Sequence, residues 1–139
     1  MKGSVLTILA AAAVLVASAI PALAHHSFAA EFDTGKAIDF TGVLTKVEWM
    51  NPHVYFYVDV KDPQTGKVTN WGCEIAANPY QLILSGWNKE RSMEALKPGT
   101  SVTVTLAPSR AGTPTGEMMK LFNEKGDELL VTVGGNGPQ

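Results

Sequence analysis

Cysteine is almost absent: the 139-residue chain has only Cys73, so no internal disulfide can form. Cys73 stands between Trp71 and Ile75 in a strand-like segment and reads as a small buried apolar residue. A thiolate ligand or an intermolecular bridge are the alternatives. Charge of either sign is also sparse, with eleven Lys and Arg against thirteen Asp and Glu, a net of −2. That balance gives no electrostatic grip on nucleic acid or an anionic membrane. Cys-x-x-Cys, His-Glu-x-x-His, Gly-x-Ser-x-Gly, a phosphate-binding glycine loop and a Met-rich tract are all missing. No Ser-His-Asp set or carboxylate pair stands out either, so nothing in the sequence points to an enzyme.

Long hydrophobic runs are limited to one. Met1-Lys2-Gly3-Ser4 carries one side-chain positive charge, Val5 to Ile20 is nearly continuous Ala, Val, Leu and Ile, and Pro21 interrupts it. Ala22-Leu23-Ala24 then supplies the small-x-small pattern of a signal-peptidase site, so residues 1–24 are expected to be an export signal. An uncleaved anchor is the rival, because sixteen apolar residues approach the lower limit for spanning a bilayer. Cleavage leaves 115 residues, one domain's worth of chain, with no second run to insert into a membrane. The expected location is the periplasm or the exterior.

Beyond the leader, residues 25–36 form an N-terminal segment, 37–133 a β domain and 134–139 a frayed tail. Residues 37–49 suit a long bent strand in which Gly42 marks a bulge or a close backbone approach. After Asn51-Pro52, Val54, Phe56, Val58 and Val60 alternate with His53, Tyr55, Tyr57 and Asp59. Asp62–Gly66 is a hairpin loop and Val68–Ile75 its return strand. Asn78-Pro79 opens a short helix that stops at Gly86, and 88–96 forms another helical turn. Ser101–Leu106 is a strand, 109–116 a loop, and Met118–Phe122 with Glu128–Val133 a final hairpin. Of the adjacent Met118 and Met119, one is expected to face inward. This order predicts a mainly β, small OB-like Greek-key barrel with one or two short helices between strands 3 and 4. A two-sheet sandwich is the rival.

Histidine is scarce too, and its placement is informative. Two of the three, His25 and His26, would become the new N-terminus on cleavage. A free α-amine has a pKa of about 7.7–8.0 and competes for a metal at neutral pH. Together with Nδ1 of His25 it chelates one ion, and a third imidazole completes a T-shaped nitrogen set, a histidine brace. Such tetragonal nitrogen ligation suits Cu(II). His53 is the preferred third ligand, because in an extended segment the ring of His26 points away from that of His25. Glu31, Asp33 and Glu48 are candidates for orienting the imidazole. Amino-terminal copper binding of the other kind needs histidine at the third mature position, which is Ser27. A metal-independent alternative rests on Tyr55, Tyr57 and Trp49, presented to a small-molecule ligand or an envelope protein. A third alternative is oxidation at an open copper position.

His25-His26-Ser27-Phe28-Ala29-Ala30-Glu31-Phe32-Asp33 after the leader resembles the start of a family of small exported bacterial proteins catalogued as a domain of unknown function. Gly42–Trp49, Asn51-Pro52-His53-Val54-Tyr55 and Leu96-Lys97-Pro98-Gly99 resemble it as well. The resemblance implies a periplasmic OB-like domain and hands over no activity. Residues 88–95 are longer than that pattern, and Gly72-Cys73 replaces Ala and a larger apolar residue.

Overall fold

The computed structural model describes residues 28–131, so the expected leader and tail, His25 and His26 lie outside the described residues. The strands are β1 (Ile38–Trp49), β2 (Val54–Lys61), β3 (Val68–Ile75), β4 (Ser101–Pro108), β5 (Thr115–Phe122) and β6 (Glu128–Val131). A single turn of helix, α1 (Phe28–Glu31), and a 3-10 turn (Thr34–Lys36) precede them, and α2 (Pro79–Leu84) and α3 (Lys89–Ala95) lie between β3 and β4. The strand order is β3-β2-β1-β4-β5-β6, and a parallel β3–β5 pairing closes the first five strands into a barrel. This is the mainly β, OB-like barrel that the sequence pattern predicts. Among the described residues no helix is long and apolar enough to cross a membrane.

Alternation sets the inner face. Val54, Phe56 and Val58 of β2 are buried with Leu44, Cys73, Ile75, Val102, Val104, Leu106, Met118 and Leu121 in one core. Tyr55, Tyr57 and Glu74 take the opposite, outer face, as the period of two requires. The β2–β3 hairpin closes through Asp62, whose backbone N–H donates to the Lys67 carbonyl at 2.8 Å. The Asp62 carboxylate accepts from the N–H groups of Gln64 and Thr65, which hold its pKa below the usual carboxylate value, Thr65 contributing most.

Three local features refine the sequence reading. Gly42 does mark a close approach, since a Cβ there would lie 2.5 Å from the Asp59 carbonyl oxygen. The bulge of β1 falls between Leu44 and Lys46 instead. Strand β5 begins at Thr115, three residues earlier than the alternation suggests, because Thr115, Gly116 and Glu117 pair with β3 to close the barrel. Pro114 and Gly116 on either side of Thr115 give the segment a loop-like composition, which the tertiary pairing overrides.

The helices follow their caps. Asn78 and Gln81 form a reciprocal capping box, both bonds 2.9 Å, and Pro79 occupies the first turn. Gly86, at φ +86°, ends the segment. Residues 28–36 of the N-terminal segment are tied down. Phe32 is buried and bridges to Ser109, the Glu31 carbonyl accepts from the Arg110 N–H at 2.9 Å, and Asp33 pairs with Arg110 at 3.4 Å and Lys36 at 3.5 Å.

Candidate metal centre

His53 is the one histidine among the described residues, and it immediately precedes β2. Its Nδ1 donates to the Glu74 carboxylate. The two side chains are 22% and 13% exposed, so the pair is largely withdrawn from water. A carboxylate oxygen accepts, so Nδ1 carries the hydrogen, and in the tautomer this selects the lone pair is on Nε2. The pairing is a consequence of register: Glu74 lies opposite Tyr55, and His53, two residues before Tyr55, reaches it on the diagonal.

The ring of Phe28 meets that of His53 edge-on, centroids 4.9 Å apart, and Phe28 in turn touches Phe32 at 5.5 Å. Helix α1 therefore lies against the outer face of β2 and β3 at His53. On the far side, Glu74 is in register with Glu117 of β5, whose side chain is fully buried. Tyr55 completes the row. Burial above all, and then the Glu74 carboxylate beside its hydroxyl, push its pKa up, so the phenol stays protonated at neutral pH. Among the described residues no three His, Cys, Asp or Glu side chains converge as a metal-binding group.

The residues singled out in the sequence divide in two. Tyr55 and Tyr57 stack at 6.3 Å, and Tyr57 donates to Glu48 at 3.0 Å while Lys46 approaches Glu48 at 2.6 Å. Trp49 pairs with Val54 and so faces inward, away from the tyrosines. With Val47, Met93, Leu96 and Pro98 it lines an apolar groove of about 330 Å³ between β1 and α3. Its indole N–H is buried with no hydrogen-bond partner. Of the three acidic residues suggested to orient the imidazole, Asp33 pairs with Lys36 and Arg110, and Glu48 with Lys46 and Tyr57. Glu31 contributes its backbone carbonyl to Arg110. Glu74 fills that role and was missed. The signal was present in the hairpin: closing it at Asp62 and Lys67 makes Lys61 oppose Val68, and counting back puts Tyr55 opposite Glu74.

A sequence profile of a family of unknown function, DUF6152, matches residues 12–118. The chain belongs to DUF6152. The matched span takes in α1, His53, Glu74 and most of the barrel of this DUF6152 member. No curated protein and no solved structure matches it.

Cys73 does not belong to the site. It faces the core opposite Phe56, and burial pushes its thiol up to about 12. In the native protein Cys73 is expected to stay unmodified by a disulfide reagent at pH 8 and to react fully once guanidinium unfolds the chain. Rapid reaction under native conditions would contradict this burial.

Proposed function

We propose that this DUF6152 member is exported, processed after Ala24, and binds copper through the amine and ring of His25 with the ring of His53. The observation that carries this reading is the contact of Phe28 with His53. His25 is three residues ahead of Phe28, and three residues of chain reach about 10 Å. A new N-terminus at His25 would therefore have the chain length to reach the one described imidazole, whose Nδ1 is held by Glu74. Two nitrogens from His25 and one from His53 make the tetragonal set that Cu(II) prefers. The carboxylate of Glu74 holds the other ring nitrogen of His53. The corresponding role is copper handling in the periplasm: storage, delivery or sensing.

The test uses the full chain expressed with its own leader, recovered after export, and its N-terminus verified by mass. A second form carries one extra Ala before His25. The processed protein is expected to bind Cu(II) with a rhombic or axial nitrogen-ligated paramagnetic resonance spectrum. The extended form should lose about tenfold or more in affinity, because the α-amine no longer belongs to His25. Equal affinity and identical spectra in the two forms would sink the brace.

A second reading is favoured by one separate observation, the groove beside the buried Trp49 indole. There the protein would be a metal-independent module for a small apolar ligand or an envelope partner. Absence of copper binding by both forms leaves that reading in front.

A further inference from the structure

Resting on the copper reading, we propose that Glu74 is the positioning residue of the centre: by holding the Nδ1–H of His53 it commits Nε2 to the metal. A neutral imidazole has two tautomers, and only the nitrogen without the hydrogen can ligate. On a free side chain the two exchange and the ring rotates. Here both freedoms are removed. Glu74 fixes Nδ1 as the donor, and the edge-on ring of Phe28 confines the plane of the imidazole.

The carboxylate is itself well held. Glu74 lies on β3, which is paired on one side with β2 and on the other with β5, so its backbone is locked from both edges. Tyr55, directly opposite, places its hydroxyl beside the carboxylate. The arrangement is therefore a chain from Tyr55 through Glu74 to His53, ending at Nε2, which has no hydrogen-bond partner among the described residues. A carboxylate on the remote nitrogen also raises the basicity of the ligating one, which strengthens the metal bond.

A plain structural ion pair would use the same two residues. The alternatives differ in what they do to the metal. If Glu74 only braces the barrel, its removal lowers stability and leaves copper affinity and spectrum alone. If it positions the ligand, its removal changes both at temperatures where the variant is folded.

Three variants of the exported, processed protein settle this: His53→Ala, Glu74→Ala and Glu74→Gln. Cu(II) affinity is measured by competition with a chromogenic chelator. Pulsed paramagnetic resonance reads the remote imidazole nitrogen, whose quadrupole coupling reports the hydrogen bond at Nδ1. Glu74→Ala is expected to lose about 10–100-fold in affinity and to shift that coupling. Glu74→Gln keeps an oxygen acceptor but no charge, so it should lose less affinity and still shift the coupling. If Glu74→Ala does not fold, Glu74→Gln alone carries the comparison. Wild-type affinity and coupling in the folded Glu74 variants, alongside loss in His53→Ala, would overturn the positioning role and leave the copper reading standing. Unchanged copper binding in His53→Ala would remove His53 as a ligand, and the role of Glu74 with it.

Discussion

Phe56→Ala is expected to lower the unfolding free energy by about 3–5 kcal/mol. Phe56 is 2% exposed at the middle of β2, with Val47 opposite on β1 and Cys73 opposite on β3. Its ring fills the centre of a closed barrel whose walls are hydrogen-bonded strands. Those walls cannot collapse inward as loosely packed helices can, so the cavity stays open and its cost adds to the lost transfer energy. A domain of this size has about 5–15 kcal/mol to lose, so one such change approaches or crosses the threshold of folding. Urea unfolding followed by tryptophan fluorescence provides the measurement. The midpoint should fall steeply while the slope stays near that of the wild type. A loss below about 1 kcal/mol would mean that the barrel interior relaxes around the missing ring, against the close packing described above.

A single added methyl group at Gly116 is expected to be nearly as damaging. A Cβ at that position would stand 2.4 Å from the Ala107 carbonyl oxygen and 2.4 Å from Cδ2 of Leu106. The leucine end can swing, but the carbonyl belongs to β4, paired with β5 on that side. Overpacking of a core side chain costs about 1–3 kcal/mol, and a clash with fixed backbone belongs at or above the top of that range. Gly116 also pairs with Cys73 across the parallel β3–β5 contact that closes the barrel, so displacing it opens the closure as well. Gly35→Ala is the control: its new Cβ would be 3.5 Å from an Asp33 side-chain oxygen and touch nothing closer. The control should change stability by no more than about 0.5 kcal/mol. Comparable melting temperatures for the two variants would show that β4 and β5 can part without penalty.

Copper binding and barrel stability are separable in these experiments because the candidate centre is on the outer face. His53, Tyr55 and Glu74 project from β2 and β3 away from Phe56 and Cys73. Helix α1 covers His53 through Phe28, while Phe32 anchors that helix in the buried region beside Ser109. The chain's entry into the fold thus doubles as the roof of the site. The groove at Trp49 is lined by β1, α3 and the residues after α3 and by none of β2 or β3, so a ligand there and a metal at His53 would not compete for the same atoms.

The sequence by itself determined the elements whose signals are local. The strict alternation of His53–Val60 fixes which side chains enter the core, because the period of a strand is two and cannot drift. Asn78, Pro79 and Gly86 delimit α2, because orphan N–H groups at a helix start need an acceptor and a left-handed stop needs glycine. His53 was also legible as a candidate ligand, from three histidines and one turn.

Only the tertiary structure decided the partners. Glu74 is twenty-one residues from His53, and their meeting depends on the register of a hairpin, where a slip of one residue would turn the carboxylate inward. The early start of β5 at Thr115 and the need for glycine at 116 arise from barrel closure, a contact between strands with no local signature. The placement of Phe28 on His53 depends on where Phe32 finds a buried seat, which no spacing encodes. Sequence periodicity specifies faces. Which groups share a face at contact distance is set by the pairing of distant segments, and in this chain that pairing is what joins the imidazole to its carboxylate.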